Sequence, residues 1–292
     1  MTESMENFVL HNLPPLTQFT PLCPTVKHKP VDKWVDIVSK TMFTVPMMDA
    51  REERWLLEEG FDGIENDAFF AARKKLRNGE PLAYLIGTIP FGPLTLSLDS
   101  KPLIPRAETE YWVTKVLQEL PFEPKNILDL CAGSGCIGTL ALHTFPTAHV
   151  DFAELDETHH ETIRKNIERN NLPTENTSIR GGSLFDQIPE NARYDLLLTN
   201  PPYIDPILDR TQVGVKTHEP HLALYGGAKG MEIIDKIIIQ SKNYLTERGI
   251  LVIEHEPEQH EAVSDLAQKN NFVAVHHHDQ YRTLRYTVLM KI

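Results

Sequence analysis

The chain has few cysteines, no long apolar run and no excess of basic residues, and each shortage excludes a class of protein. Only three of its 292 residues are cysteine, Cys23, Cys131 and Cys136, so a disulfide framework of the secreted type is excluded. No apolar stretch approaches the ~20 residues that a membrane-spanning helix needs. The first residues include Glu3 and Glu6 and no arginine, so we expect no signal or transit peptide. We therefore predict a cytoplasmic protein with reduced thiols.

The shortage of basic residues also limits the partners. Twenty-nine Lys and Arg stand against 41 Asp and Glu, which gives a net charge of −12. A protein that follows a nucleic acid backbone normally presents a basic surface, because phosphate neutralisation dominates its affinity. The one dense basic run, residues 73–77, is typical of the solvated face of a helix. We expect no direct DNA binding.

The most informative motif is a tetrapeptide, Asn200, Pro201, Pro202 and Tyr203, which follows the apolar run 194–199. At the end of a buried strand, the Asn200 amide oxygen and the Pro201 carbonyl are able to accept the N–H groups of a planar nitrogen, while Tyr203 packs on the planar group. Such positioning supplies much of the rate gain when a weak nucleophile attacks a methyl group. The alternative is a simple turn, since Asn-Pro and Pro-Pro are common in loops.

A candidate binding loop for the methyl donor precedes this motif. Residues 126–130 are typical of a buried strand and are followed by a loop of small residues and an apolar helix. A backbone of this kind lets a ligand approach a helix N-terminus closely. A second strand, 149–153, ends at Glu154, at the spacing where a carboxylate reaches ribose hydroxyls. Dinucleotide binding is the competing interpretation, but the loop lacks the second and third glycines of that pattern in register.

Five ordered motifs together resemble one family. They are residues 81–87, 103–110, 131–135, 200–203 and 218–224, and the similarity covers roughly residues 80–292. This chain resembles the HemK/PrmC family of protein-(glutamine-N5) methyltransferases. The resemblance implies S-adenosylmethionine as the methyl donor and a glutamine side chain as the acceptor, in the Gly-Gly-Gln loop of a peptide-chain release factor. The chain departs from the family pattern at Cys131, where the family commonly has Gly, and there it is similar to the related branch that modifies ribosomal proteins.

The resemblance also implies the site residues. Catalysis is assigned to Asn200, Pro201, Pro202 and Tyr203, and substrate binding to Asn200, Pro201, Tyr203 and Glu219. The residues expected to contact the donor are Arg106, Asp129, Cys131, Ala132, Gly133, Ser134, Gly135, Glu154, Ser183, Leu184 and Asn200. Ser183 stands where the family has an Asp that meets the adenine end of the donor; a hydroxyl lacks the strength of a carboxylate there, and Asp186 is the candidate substitute. We predict no metal site, although residues 276–278 are three consecutive histidines.

Alternating strand and helix patterns predict an α/β fold. The expected strands are 127–130, 150–153, 178–180, 195–199, 250–254, 272–276 and 284–290, with the last two antiparallel. This is the seven-stranded, mainly parallel, Rossmann-like sheet of class I methyltransferases, as the resemblance also implies. We predict a helical substrate-docking domain at residues 1–87, a β-hairpin connector and first helix at 88–122, and the methyltransferase domain at 123–292. The predicted helices of the first domain are 31–43, 50–60, 66–77 and 81–85.

Several alternatives stay open at this point. A ribosomal protein is the nearest rival acceptor, and a nucleic-acid amino group is a more distant one, because such enzymes share the Asn-Pro-Pro-Tyr motif. A non-catalytic protein with a degenerate donor pocket is the alternative from another class, and Ser183 is the residue that favours it. Glu254 and Glu256 are not needed as bases, since a methylated nitrogen is able to lose its proton to water. We expect a monomer.

Overall fold

Three helices open the part of the chain that the structure, a computed structural model, describes: residues 50–292. The helices are α1 (Ala50–Phe61), α2 (Asp67–Arg77) and α3 (Leu82–Ile86). Helix α2 begins where the Asn66 side chain accepts a hydrogen bond from the Phe69 amide at 2.9 Å, as an N-cap does. A separate apolar cluster that includes Trp55 and Leu56 holds the three helices together. The predicted helices 50–60, 66–77 and 81–85 are therefore present, whereas the predicted helix 31–43 lies outside the described residues.

A β-hairpin joins these helices to the rest of the chain. Strands β1 (Thr88–Phe91) and β2 (Leu94–Ser97) pair antiparallel, as predicted for residues 88–98. The Asn166 side chain accepts a hydrogen bond from the Ser97 amide at 2.6 Å and donates one to the Ser134 carbonyl at 2.9 Å. The connector is therefore tied to the predicted donor loop. The domain boundaries at residues 87 and 122 stay predictions.

A seven-stranded sheet forms the centre of the fold. Its order is β5-β4-β3-β6-β7-β9-β8, and every neighbouring pair is parallel except the two that involve β9. The antiparallel pairing of the last two strands is thus confirmed. The strands are β3 (Asn126–Leu130), β4 (His149–Ala153), β5 (Thr177–Arg180), β6 (Tyr194–Thr199), β7 (Leu245–Glu254), β8 (Phe272–His278) and β9 (Leu284–Lys291).

Helices pack on both faces of this sheet, because parallel strands need crossover connections that bury both faces. Two large apolar clusters result, one containing Trp112 and Phe152 and the other containing Phe185 and Ile237. No helix between residues 50 and 292 combines the length and the apolar character that crossing a membrane requires. The helices are α4 (Ala107–Glu119), α5 (Cys136–Thr144), α6 (His160–Arg169), α7 (Val213–His218), α8 (Glu232–Ser241) and α9 (His260–Lys269).

One boundary differs from the sequence-based expectation. The apolar pattern of residues 231–245 predicts one helix, but α8 ends at Ser241 and β7 begins at Leu245. The reason is pairing with β6: the Tyr194 amide donates to the Tyr244 carbonyl at 2.7 Å, and Tyr194 lies opposite Leu245. Strand pairing therefore starts five residues before the predicted strand 250–254, and a register irregularity between Tyr194 and Leu196 accommodates it.

Candidate active site

A cleft of about 370 Å³ lies at the carboxyl ends of β3, β4 and β6, where ligands bind in open parallel sheets. Ten of the predicted site residues line it: Arg106, Cys131, Ala132, Gly133, Ser134, Glu154, Ser183, Leu184, Asn200 and Pro202. Its other lining residues were not assigned to the site, although eight of them lie in the motifs 103–110 and 218–224; they are Leu103, Ile104, Pro105, Thr109, Cys136, Ile137, Ala153, Leu155, Asp156, His159, Pro220, His221, Leu222, Ala223, Tyr225 and Ile233. The residues predicted for the donor and those predicted for the acceptor thus share one cavity.

The loop between β3 and α5 forms one wall of this cleft. Its Ala132 amide donates to the Ala153 carbonyl at 3.1 Å, and its Gly133 amide donates to the Glu154 carboxylate at 2.7 Å. The second Glu154 oxygen accepts from the Asp156 amide at 2.8 Å. The carboxylate is therefore fixed at the end of β4 by two backbone donors, and it faces the cleft beside the loop.

Asp129 and Gly135, predicted to contact the donor, are not among the residues that line the cleft. Asp129 is fully buried, and one of its carboxylate oxygens accepts from the Gly138 amide at 2.8 Å. A β-carbon on Gly138 would lie 2.9 Å from the β-carbon of Asp129, so only glycine allows α5 to approach β3 this closely. Burial raises the pKa of Asp129 well above its usual range. The buried Asp129 side chain therefore supports the loop indirectly, because it binds the backbone of α5 at Gly138.

The two cysteines of this region line the cleft as thiols. Cys131 and Cys136 are both free, and Cys131 adopts a left-handed backbone conformation with φ of 62°. Burial raises the pKa of both thiols, and the neighbouring carboxylates Glu154 and Asp129 raise it further. Both cysteines therefore stay protonated at neutral pH and are poor nucleophiles.

Ser183 and Leu184 line the cleft, and Asp186 does not. The Asp186 carboxylate instead accepts a hydrogen bond from the Ser183 amide at 3.2 Å. It closes its own turn and is not placed to substitute for the family's missing Asp. Ser183 is the residue with a polar side chain by which this turn lines the cavity.

Arg106 and Glu219 join the segment before α4 to the segment after α7. The Arg106 guanidinium donates to one Glu219 oxygen at 2.8 Å, and the Ile104 amide donates to the other at 3.0 Å. The Glu219 side chain is only 2% exposed. Glu219 is not among the cleft-lining residues, and both of its oxygens are engaged. Its predicted contact with substrate stays untested, while the geometry gives it a structural role, because it fastens the cleft wall 103–106.

The tetrapeptide 200–203 follows β6, as predicted, but its members face different ways. Asn200 and Pro202 line the cleft, whereas Pro201 and Tyr203 do not. The Tyr203 hydroxyl donates to Glu254 at 2.9 Å, and burial, with the nearby Glu254 charge, raises the pKa of Tyr203 well above its usual range. The Tyr203 ring is therefore anchored behind the cleft, in contrast to the predicted packing on the acceptor.

Two glycines, Gly226 and Gly230, lie very close to the backbone of the tetrapeptide behind the cleft. A β-carbon on Gly226 would lie 2.5 Å from the Pro202 carbonyl oxygen, and one on Gly230 would overlap the carbonyl oxygen of Tyr203. The Gln259 side chain donates to the Tyr203 and Lys229 carbonyls at 2.8 and 3.0 Å. These glycines are thus required by close backbone approach behind the tetrapeptide.

The histidine-rich region forms a hydrogen-bonded cluster away from the cleft. Thr287 contacts His255 and His276 at 2.7 Å each, and Ser264 contacts His276 at 2.6 Å. Burial lowers the pKa of His255 to about 4, so the ring is neutral at pH 7. Within residues 50–292, no group of three or more His, Cys, Asp or Glu side chains is arranged to hold a metal ion.

The sheet order, the donor loop and the adjoining tetrapeptide define a class I methyltransferase, and comparisons with known proteins agree. A family model, the methyltransferase small domain, matches residues 112–217. Among solved structures, a methyltransferase from Pyrococcus furiosus aligns over 68% of this chain and 90% of its own, with a TM-score of 0.51 and 19% identity. That similarity supports the fold.

Closer relatives give the family. The chain is 36% identical to the release factor glutamine methyltransferase of Yersinia pestis, over 68% of this chain and 70% of the relative. It is 31% identical to the enzyme of that name from Clostridium botulinum, over 71% and 74%, and 33% identical to the ribosomal protein uL3 glutamine methyltransferase of Bordetella pertussis, over 62% of each. The chain belongs to the HemK/PrmC family of glutamine methyltransferases, whose methyl donor is S-adenosylmethionine.

The cleft fits such a donor. Its volume falls within the range usual for cofactor sites. Glu154 offers carboxylate oxygens at the cavity, and the buried Ser134 hydroxyl, also in the lining, has no hydrogen-bond partner within residues 50–292. A β-carbon on Gly133 would meet no atom within 4 Å, so the loop backbone at this point is open to a ligand.

Proposed function

We propose that this protein transfers a methyl group from S-adenosylmethionine to the side-chain amide N5 of a glutamine in a protein, and that the acceptor is the Gly-Gly-Gln loop of a peptide-chain release factor. The observation that carries the proposal is that Asn200 and Pro202 line the same cleft as the loop residues Cys131, Ala132 and Gly133. An acceptor bound at Asn200 therefore lies next to a donor bound at the loop.

Some residues of the cleft bind the methyl donor, and others orient the acceptor amide. The donor's sulfonium supplies an activated methyl group when it is bound. Glu154 accepts hydrogen bonds from ribose hydroxyls, and Ser183 meets the adenine end. The Asn200 amide oxygen accepts an N–H group of the acceptor amide and directs its nitrogen toward the methyl group; Pro201 lies outside the cleft lining, so its carbonyl is not given this role. A reaction of this kind depends on holding the atoms about 3 to 3.5 Å apart in line, and a general base is not required.

The net charge favours a protein acceptor over a nucleic acid. With a charge of −12, the chain repels phosphate backbones, and binding to them falls further as salt rises. Two of the four basic residues of α2, Arg73 and Arg77, lie within 4 Å of Glu53, which reduces the positive charge that this helix offers. A release factor that acts in translation also implies a cytoplasmic location, and one polypeptide supplies every residue of the proposed site, which is consistent with a monomer.

Labelled donor tests the proposal directly. The protein is incubated with labelled S-adenosylmethionine and, separately, a release factor, ribosomal protein uL3 and DNA, and the product is located by mass spectrometry. We expect label on the glutamine of the Gly-Gly-Gln loop, and none on a release factor in which that glutamine is alanine. Label on uL3 alone would favour the second acceptor, which the relationship to the Bordetella enzyme and the Cys131 loop support.

An Asn200→Ala variant separates catalysis from donor binding. Because the donor loop does not depend on the Asn200 side chain, we expect turnover to be lost while the donor affinity measured by calorimetry stays nearly unchanged. Turnover that survives this substitution would remove Asn200 from the proposed role. If the unmodified protein failed to bind the donor at millimolar concentration, the non-catalytic alternative would be favoured.

A further inference from the structure

A buried carboxylate stands directly behind the acceptor side of the cleft. Glu254 ends β7, is 1% exposed, and is adjacent to the end of β6 because Ile253 pairs with Thr199. One of its oxygens accepts hydrogen bonds from the Trp112 indole at 2.6 Å and from the Thr109 hydroxyl at 2.7 Å. The other oxygen accepts from the Tyr203 hydroxyl at 2.9 Å.

Three donors and a nearby cation favour the charged form of this carboxylate. Burial raises the pKa of Glu254 above its usual value, and hydrogen bonds from Trp112 and Thr109, together with the positive charge of Arg285, offset part of that rise. An indole N–H only donates, so the oxygen that Trp112 contacts is an acceptor. The Thr109 hydroxyl shares this oxygen and therefore directs its hydrogen to Glu254.

The direction of that hydrogen determines how Asn200 is oriented. A hydroxyl has one hydrogen, so toward every other neighbour it offers only lone pairs. Thr109 lies 3.1 Å from the Asn200 side chain, and the group that satisfies a lone pair is the Nδ2 amine, not the Oδ1 oxygen. If Asn200 turned over, two oxygens would face each other at a position where Thr109 is 1% exposed and water is excluded, which is costly.

We propose that Glu254 and Thr109 are positioning residues that lock the Asn200 amide with Nδ2 toward Thr109 and Oδ1 toward the acceptor, and that this lock selects a glutamine amide over a glutamate carboxylate. The proposal rests on the proposed function. A glutamine presents N–H groups that Oδ1 accepts. A glutamate presents only oxygens, and a site built to accept N–H rejects an acceptor that has none.

The discrimination between glutamine and glutamate peptides tests the lock. A Gly-Gly-Gln peptide serves as substrate and the matching Gly-Gly-Glu peptide as competitive inhibitor, and the ratio of inhibition constant to KM is measured for three proteins. Thr109→Val keeps the shape of the side chain and removes the hydroxyl, so Asn200 is free to turn over. We expect it to lower the ratio by about tenfold, the worth of one hydrogen bond. Thr109→Ser keeps the hydroxyl and is expected to keep the ratio within about twofold of the unmodified protein.

Donor binding separates this effect from general damage. Calorimetry is expected to give the same donor affinity for all three proteins, because the donor loop, Cys131 to Ser134, is held by Glu154 and Ala153 and not by Thr109. An unchanged ratio in Thr109→Val would overturn the lock. A different result, in which the unmodified protein methylates no glutamine acceptor, would reject the proposed function itself.

A measurement on the unmodified protein covers the case in which Thr109→Val does not fold. In a protein labelled with nitrogen-15 at asparagine side chains, the Asn200 signal is identified by its loss in Asn200→Ala. Its Nδ2 hydrogens are expected to exchange with water at least about tenfold more slowly than those of exposed asparagines, since one of them is bonded to buried Thr109. Exchange as fast as that of exposed asparagines would show that Nδ2 faces the open cleft, and the proposal would be wrong.

Discussion

Replacing Gly230 with alanine perturbs the acceptor side of the site from behind, without altering any side chain that lines the cleft. Gly230 has φ of 68°, and a β-carbon there would overlap the Tyr203 carbonyl oxygen and lie 2.8 Å from the carbonyl carbon. Real β-carbons stay at least 3.0 Å from such atoms. The backbone that carries Pro202 and Tyr203 must therefore retreat, by about 1 Å, a displacement that costs about 100-fold in turnover when it moves a reacting group.

Gly63 supplies the matched control. Its φ of 75° imposes the same left-handed strain, but a β-carbon there would meet no atom within 4 Å. We expect Gly63→Ala to lower the free energy of unfolding by about 1 kcal/mol and to leave turnover unchanged. Gly230→Ala adds overpacking of about 1–3 kcal/mol to that strain. Denaturant unfolding measures the free energy of unfolding, and methyl transfer from labelled donor measures turnover. If Gly230→Ala matched Gly63→Ala in both, the close approach behind Tyr203 would have no role in catalysis.

Three further predictions concern the donor, the cleft wall and pH. Ser183→Asp restores a charged acceptor at the cleft and is expected to tighten donor binding by about fivefold in calorimetry; unchanged affinity would mean that Ser183 does not meet the donor. Glu219→Ala frees the segment that carries Ile104 and Arg106, so we expect a loss of about 2 kcal/mol of unfolding free energy and weaker donor binding. A pure substrate contact would instead leave stability intact. Because burial lowers the pKa of His255 from 6.5 to about 4, the neutral ring contributes stability that is complete above pH 6.5 and is lost as pH falls toward 4. The whole loss is roughly 3 kcal/mol, and about 2 kcal/mol of it falls between pH 7 and 5. Urea unfolding is expected to show a steeper decline of unfolding free energy over that range than in His255→Gln, and equal declines would contradict it.

The sequence predicted those parts of the molecule that depend on local pattern. Alternating strands and helices identified all seven strands, and the small-residue loop before Cys136 and the tetrapeptide at Asn200 were placed at strand ends, where the structure has them. These signals lie within a few neighbouring residues. Boundaries were less accurate where tertiary pairing decides them, as at Leu245, which joins β7 because Tyr194 lies opposite it.

Interactions between distant segments were not predictable from the chain alone. Glu219 follows α7 in a motif that suggests the cleft, yet its oxygens bind Ile104 and Arg106, more than 110 residues earlier. Glu254 was weighed only as a base. Its three donors come from α4 and from the tetrapeptide, between 51 and 145 residues away. No spacing rule links these positions, because the sheet order and the packing of α4 bring them together.

Different parts of the fold support the donor loop and the acceptor side of the cleft at Asn200. The donor loop is held by β3, β4 and Glu154, whereas Asn200 donates to Thr109 of α4, which in turn donates to Glu254 of β7. The hydrogen bond from Asn200 to the buried Thr109 is part-buried and already formed in the protein alone, so we expect little reorganisation during methyl transfer, and preorganised groups of this kind act mainly on the transition state. Substitutions behind Asn200 are therefore expected to change turnover and acceptor choice, and substitutions behind Gly133 to change donor affinity.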